Sequence, residues 1–492
     1  MKNHTKKEMN IWLALLPLVI MIVVMIFTVV KLEQGPHIPL IVGTSIAALV
    51  AWKVGFNWKE IEEMMYKGIR LALPAVVIII LVGSTIGAWM GGGIVATMIY
   101  YGLQIISPAW FLVTITLICA IVSLAIGSSW STMGTIGVAG MGIGLSMGIP
   151  AGMVAGAVIS GAYFGDKMSP LSDTTNLAAG LTGTDLFEHI KHMLWTTIPG
   201  LAIALGIYAY LGQRFAAASI ETVEIGQTVQ VLQESFIISP WLLLIPLAVI
   251  VLVAFKVPAI PALIVGIVLG YLAQVFVQGG SMAVAIEALQ SGFTISTGNE
   301  MVDELFNRGG LDSMMYTVSM TIVAMTFGGI LEFSGMLQSM MNQLLKIVKS
   351  AKSLIVSTIA ACFMTNASCS EQYISIVVPS RMFSGAYRKM GLHSKNLSRS
   401  LEDGGTLTSV FIPWNTCGVF IFGTLGVSVV QYGPYAILNF AVPILGMIYA
   451  VTGFTITKLT EEEKAAAEVE ETQALQSQEV LTPLEKSVSS HF

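Results

Sequence analysis

Charge is scarce in this sequence. Asp, Glu, Lys and Arg make up 11% of its 492 residues, against about 25% in an ordinary soluble domain, so a water-exposed globular surface is excluded. With 55% apolar residues and a mean hydropathy of +0.79, the chain reads as a multi-span membrane protein. Cysteine is nearly absent. Cys119, Cys362, Cys369 and Cys417 stand in apolar or interrupted stretches, with neither paired metal-ligand spacing nor an extracellular disulfide framework, and read as small buried hydrophobes. Of the histidines, His4 and His491 lie in the tails, His37 in a short loop, and His189, His192 and His393 in charged connections. No HExxH, GxSxG or Walker pattern occurs, which removes the familiar enzyme readings, and no basic patch invites nucleic acid. The net charge of −5 says little about partners, because the acidic C-terminal tail carries much of it.

The missing charge is unevenly distributed. Residues 71–165 contain no Asp, Glu, Lys or Arg at all, and then Asp166, Lys167 and Asp173 arrive together among Ser, Thr, Pro and Asn. Small residues and hydroxyls crowd both ends of the stretch 127–176, so helices there are interrupted, and the freed backbone groups are tolerated only against protein or a water-filled cavity. Residues 365–418 have the same grammar: a small polar cluster (365–372) interrupts an apolar run, and an acidic residue, Asp403, later precedes Pro413 and a second polar cluster. Paired interrupted segments in two halves are the best sequence pointer to a transporter's midplane site.

In chain order, residues 1–10 form a basic tail expected in the cytoplasm, and residues 11–213 a first transmembrane half with polar clusters at 127–132 and 166–176. Residues 214–238 carry one Arg against three Glu and are expected outside by the positive-inside rule. Residues 239–457 form the second half, with clusters at 365–372 and 402–418, and residues 458–492 an acidic cytoplasmic tail. Arg381, Arg388, Lys389, Lys395 and Arg399, with no acid among them, place that connection inside. The amphipathic segments 53–70 and 185–193 suit the interface better than a span. The fold class expected is an all-α polytopic membrane protein, an inverted-repeat secondary transporter with two re-entrant hairpins, interrupted helices and about ten to thirteen spans.

A carboxylate in such a segment is a functional hypothesis by default. Asp166 reads either as a titrating, cation-binding group or as a buried ion-pair or helix-end charge; Lys167 is a poor partner for it, since adjacent helical residues point about 100° apart. Asp173 reads as a coupling residue or an N-cap, Glu371 as a cation ligand or a hairpin-tip charge, and Glu332 as a helix-end charge or a relay. Asp403 is favoured over its neighbour Glu402 because it has the same place in its half as Asp166. Ser128, Ser129, Ser131, Thr132, Ser172, Thr174, Thr175, Asn176, Asn366, Ser368, Asn415 and Thr416 supply neutral oxygens that suit a hard cation such as sodium, although each alone also reads as a cap or turn residue.

Six motifs at these positions resemble the NhaC family of sodium/proton antiporters, within the wider ion-transporter superfamily: GSSWSTMGTIG (127–137), SGAYFGDKMSPLSDTTNLAA (160–179), RGGLDSMMYTVSM (308–320), FGGILEFSGML (327–337), TNASCSEQYISIVVPSRMF (365–383) and LEDGGTLTSVFIPWNTCG (401–418). The resemblance spans nearly the whole membrane part. It implies a carrier of the bacterial inner membrane that exchanges protons for sodium by alternating access, offers Asp166, Asp173, Glu371 and Asp403 for ion coupling, and needs no cofactor beyond the transported ions. Its partners are the bilayer, sodium and protons, and a homodimer is compatible with it. The family also includes a sodium-lactate/malate-proton exchanger and homologues that move amino acids, so exchange of a small organic acid or amino acid stands as the alternative. An intramembrane enzyme would need a nucleophile and base pair, and a channel repeated pore rings; neither pattern is evident.

Overall fold

The computed structural model describes residues 9–32, 34–216, 222–255 and 257–460; most of the basic N-terminal tail, residues 217–221 of the 214–238 linker and the acidic tail from residue 461 lie outside the described residues. Among the described residues the protein is helical, with one isolated bridge, Leu392 to Lys458, in place of any sheet. The helices are α1 (Ile11–Met25), α2 (His37–Val54), α3 (Trp58–Gly91), α4 (Ile94–Ile105), α5 (Phe111–Ile126), α6 (Ser129–Thr132), α7 (Val138–Ser146), α8 (Ala151–Met168), α9 (Asp173–Thr182) and α10 (Leu186–Ala216) in the first half. After α11 (Thr222–Ser235) come α12 (Leu244–Ala254), α13 (Ala259–Phe276), α14 (Met282–Ser291), α15 (Glu300–Phe306), α16 (Met315–Phe333), α17 (Met336–Ile347), α18 (Ala351–Cys369), α19 (Gln372–Lys389), α20 (Ser394–Leu401), α21 (Thr416–Leu425), α22 (Val429–Tyr432) and α23 (Ile437–Thr452).

Among the described residues seven helices are long and apolar enough to cross a bilayer, and ten if each of three pairs bent by 93°, 48° and 58° makes one span. The upper count meets the lower edge of the ten to thirteen expected; α8, α18 and α19 fall outside it because glycine, hydroxyls and charge dilute their apolar character. The two amphipathic segments expected at the interface are continuous with long apolar helices. Asn57 caps α3 through a reciprocal bond with Glu60, and nothing after it stops a 34-residue helix. The segment 185–193 likewise opens the 31-residue α10.

Two hairpins carry the broken segments. In the first, α5 turns at Gly127 and the chain returns through α6, a π-helical turn (Met133–Gly137) and α7. The return is antiparallel: a Cβ on Gly144 would lie 2.7 Å from Phe111, at the start of α5, and one on Gly140 2.6 Å from Ile115. In the second, α18 turns at Ser370 into α19, and the Thr358 and Tyr387 hydroxyls meet at 3.1 Å across it. Helix α10 shows that the hairpins enter from opposite ends of the bundle. Gly212, near its C-terminus, abuts the Ala109 carbonyl at the base of the first hairpin. Near its other end, His192 Nε2 lies 3.0 Å from the Thr455 carbonyl oxygen, beside Val451, whose carbonyl accepts from Lys352 Nζ at the base of the second hairpin.

The halves repeat at the level of single residues. Gly127 and Ser370 have φ of 74° and 61°, and each is followed by an extended residue, Ser128 or Glu371, that caps the next helix. The same separation along the chain relates Cys119 to Cys362, Gly161 to Gly404, Pro170 to Pro413, Ser172 to Asn415 and Gly183 to Gly426. A Cβ on Gly161 would lie 2.9 Å from Cys119 Cβ, and one on Gly404 would lie 2.9 Å from Cys362 Cβ. Only glycine permits helices to approach so closely.

Candidate functional site

Each hairpin tip sits against the break in its own half. The tip residue Gly127 packs on Leu171 and Ser172, between α8 and α9, while the amide of Thr416, opening α21, donates to the Ser370 carbonyl at 2.9 Å. Each tip also reaches the opposite half. Trp130 stacks on Phe420 of α21, with centroids 4.3 Å apart, and the Tyr373 hydroxyl donates to Asp173 Oδ2 at 2.6 Å.

Between these contacts lies a cavity of about 1020 Å³, lined by Asp166, Asp173, Glu332, Glu371 and Arg381 together with Ser128, Ser129, Thr174, Asn176 and Tyr373. Asp166 is 6% exposed, near the end of α8. Its Oδ2 accepts from the Ser129 amide at 3.2 Å and from Ser129 Oγ at 2.6 Å, and its Oδ1 accepts from Ser172 Oγ at 2.7 Å. One carboxylate therefore ties the first hairpin tip to both sides of the α8–α9 break. Such a group, out of bulk water and held by hydroxyls, can be neutralised by a proton or by a cation, but needs one of the two to avoid an uncompensated buried charge.

Glu371 opens α19 from the other half and lines the same cavity. It accepts from the Ile374 amide at 3.1 Å, so the N-cap and cavity roles coincide. Asp173 is the first residue of α9; the extended residue before it is Ser172, whose hydroxyl serves Asp166 instead of the helix end. The Asp173 carboxylate goes to Tyr373.

The remaining candidates divide. Ser128 accepts from the Ser131 amide at 3.2 Å and, through its carbonyl, from Thr132 Oγ1 at 2.9 Å. Ser131 offers its own carbonyl to Thr135 Oγ1 at 2.7 Å. Thr174 Oγ1 lies 3.1 Å from Ser172 Oγ, Thr175 Oγ1 donates to the Lys167 carbonyl at 3.0 Å, and Asn176 donates to the carbonyls of Pro170 and Ser172. In the second half, Asn366 donates to the Gly405 carbonyl at 2.7 Å and accepts from Asn415 at 3.1 Å, while Asn415 caps the Cys417 amide at 3.0 Å and accepts from Thr416 Oγ1 at 3.4 Å. The buried hydroxyls of Ser368 and Ser370 have no partner among the described residues.

Asp403 is not brought to this cavity. Buried on the π-helical turn Glu402–Thr406, it pairs with Lys167 and accepts from Thr196 Oγ1 at 3.1 Å. An acid placed before a proline suggests Asp403 as the equivalent of Asp166, but the backbone register puts Ser409 there and Ser160 opposite Asp403. Sequence reasoning passed over Trp130 and Tyr373. The signal was present: they occupy the same place after the two tips, and each crosses to the other half.

A model of the Na+/H+ antiporter family matches residues 161–454. The chain is 41% identical over 454 residues to the Na(+)/H(+) antiporter NhaC of Alkalihalophilus pseudofirmus, covering 92% of this chain and 98% of that protein. It is 38% identical over 435 residues to the malate-2H(+)/Na(+)-lactate antiporter of Bacillus subtilis, covering 88% and 93%. Over 454 residues it is 35% identical to the arginine/ornithine antiporter ArcD of Halobacterium salinarum, covering 92% and 93%.

Proposed function

The chain belongs to the Na+/H+ antiporter family, and we propose that it exchanges sodium for protons across the bacterial cytoplasmic membrane by alternating access to the cavity holding Asp166. The observation that carries this reading is the meeting of Asp166, from the break in one half, with Glu371, from the hairpin tip of the other, on one cavity between oppositely inserted hairpins. Sodium favours the ionised carboxylate and a proton removes it, so the two compete at Asp166. Exchange follows if the empty charged form does not reorient. Ser129, bonded to Asp166, and the carbonyls freed at the Gly127 turn complete an oxygen site there; Ser172 acts on Asp166 through its own hydrogen bond, with Thr174 behind it. In the membrane, residues 214–238 face outside and the part of the 381–399 connection that carries Arg388 and Lys389 faces the cytoplasm, while Arg381 lines the cavity and Arg399 is buried; the two transmembrane halves are 11–213 and 239–457.

A second reading has a specific observation behind it. A cavity of about 1020 Å³ with Arg381 in its lining far exceeds the ~30 Å³ share of one water, and a guanidinium suits a carboxylate bidentately. It therefore has room for a small organic acid carried with sodium. Purified protein in proteoliposomes separates the two. A pH gradient that drives sodium uptake with no organic acid present supports sodium/proton exchange, whereas uptake that requires added malate or lactate replaces it with the second reading.

A further inference from the structure

Trp130 and Tyr373 each stand three residues past a turn residue, Gly127 or Ser370, and they reach the opposite half by different chemistry. Trp130 lies flat on Phe420, the ring planes 10° apart and the centroids 4.3 Å apart. Tyr373 makes one hydrogen bond, its hydroxyl donating to Asp173 Oδ2 at 2.6 Å. The residues at the places equivalent to Phe420 and Asp173 are Leu177 and Thr416, so each contact belongs to one side of the protein only.

The hydrogen bond crosses the cavity on the side of the second hairpin's base. Helix α19 runs from the tip toward that base, and its Tyr373, Val377 and Arg381 follow one another about a turn apart along the cavity wall. Helix α9 runs the same way. Asp173 is its first residue, and just past its end Thr184 Oγ1 donates to Ser394 Oγ at 2.8 Å, at the start of α20. Asp166 and Ser129 therefore lie on one side of the Tyr373–Asp173 bond and Arg381 on the other. The aromatic stack lies beyond the tips in the opposite direction: α21 starts at the second tip, where the Thr416 amide donates to the Ser370 carbonyl at 2.9 Å, and continues the course of α20 across a 48° bend, away from Ser394.

We propose that the Tyr373–Asp173 bond is a gate across the path between Asp166 and the cytoplasm, and that Trp130 on Phe420 seals the path to the outside in this conformation. The two contacts differ in what opening costs. Parting the stack exposes two aromatic faces to water, one of them on Phe420, which is 1% exposed. Parting the hydrogen bond exchanges a hydroxyl–carboxylate contact for contacts with water, and Tyr373, 40% exposed, has room to swing. With the gate open a hydrated ion passes between Tyr373 and Asp173 to reach Asp166; with it shut the hydroxyl returns to Asp173 and bulk water is held off. The gate rests on the reading above that this cavity is the ion path, and it makes Tyr373 a residue that controls access without touching the ion site.

The test measures access from each side of the membrane. Ser128→Cys, on the cavity wall, serves as the reporter in the full chain, in inside-out and right-side-out vesicles, since the four native cysteines are buried. Labelling by a membrane-impermeant cationic methanethiosulfonate from the cytoplasmic side is expected to quicken about tenfold when Tyr373→Phe is added, the range for loss of a hydrogen bond to a carboxylate, and to be unchanged from the outer side. Asp173→Ala is expected to give the same acceleration, and Tyr373→Phe with Asp173→Ala no more than either alone. A rate within twofold of the reporter protein's own overturns the gate, as does equal acceleration from both sides or a doubled effect in the combined variant, which assigns the bond to general packing. Should Tyr373→Phe fail to fold, Asp173→Ala decides alone. The ion-path reading is judged separately: sodium is expected to slow labelling of the reporter protein, and labelling indifferent to sodium removes the ion from Asp166, while the gate stands or falls on the rates above.

Discussion

The two halves share a backbone and differ in where they put their acids. At the tips, Gly127–Ser128 and Ser370–Glu371 have the same left-handed then extended conformation, yet one caps with a hydroxyl and the other with a carboxylate. At the breaks the order is reversed: Asp166 stands in the first half where the second has Ser409. The repeat has preserved geometry and moved charge. A symmetric pair of acids facing each other would repel, whereas acids at unlike positions of a repeated scaffold meet one cavity from different directions, each with its own hydrogen-bond donors. The difference teaches that the coupling chemistry belongs to the cavity between the halves and to neither half alone.

The largest expected effect tests that division directly. Asp166→Asn keeps the shape and most hydrogen bonds but removes the group over which proton and cation compete, and is expected to reduce sodium/proton exchange in proteoliposomes to the background rate. Ser409→Ala, at the equivalent position, is expected to stay within about threefold of wild type, because loss of one neutral hydrogen bond is worth about 1 kcal/mol or less. Equal losses in both variants would break the comparison.

The residues one step along sharpen it. Lys167 pairs with Asp403 across the halves, while its equivalent is the apolar Val410. Lys167→Met leaves Asp403 buried beside Arg399 alone, and such a break typically costs about 3–5 kcal/mol; a marked fall in melting temperature and in folded yield is expected. The double variant Lys167→Met/Asp403→Asn removes both members of this pair but leaves the buried Arg399 without its carboxylate, so it is expected to recover part of the stability. A double variant no better than the single one would show that the ion pair is not what joins the halves there.

Much of this was legible in the sequence, and for local reasons. A charge-free run that ends in Ser, Pro, Asp and Asn marks a helix break wherever it occurs, so the clusters 127–132, 166–176, 365–372 and 402–418 fall on the hairpin tips and breaks. The hairpin-tip reading of Glu371 was equally local. The partners were not legible. Lys167 and Asp403 are 236 residues apart, and Tyr373 and Asp173 are 200 apart; nothing in either neighbourhood names the other. The match of Asp403 with Asp166 rested on a likeness of pattern between halves, while the register set by the turn residues pairs Asp403 with Ser160. Segments 53–70 and 185–193 read as amphipathic by themselves, and what their local pattern did not show is that no breaker separates residues 58–70 and 186–193 from the apolar runs that follow.

At the tips the comparison separates charge from capping. Glu371→Gln retains an acceptor for the Ile374 amide and loses the charge, so exchange is expected to fall on the order of tenfold while the melting temperature holds. Ser128→Ala loses the cap on the Ser131 amide and is expected to cost about 1 kcal/mol of stability without abolishing exchange. A stability loss in Glu371→Gln with unaltered exchange per folded molecule would assign Glu371 to capping only.

The smallest effect concerns the turn residues themselves. Gly127 cannot accept a side chain, because a Cβ there would lie 2.7 Å from the Leu171 carbonyl carbon and 2.8 Å from the Ser172 amide. Ser370 has a side chain in the same left-handed conformation, at φ 61°, where an L-residue other than glycine is disfavoured by about 1–2 kcal/mol. Its hydroxyl is buried without a partner among the described residues, so it supplies no compensating bond. The main-chain link from the Thr416 amide to the Ser370 carbonyl survives any substitution that keeps the turn. Ser370→Gly relieves the conformational cost and gives back part of it as unfolded-chain entropy, about 0.4–1 kcal/mol. A net gain of about 0.5 kcal/mol is therefore expected, visible as a small rise in melting temperature of the purified protein with exchange unaltered. A clear fall in stability or in sodium affinity would mean that the Ser370 hydroxyl holds water or the transported cation at the tip, and the second hairpin would then differ from the first by more than the position of its acid.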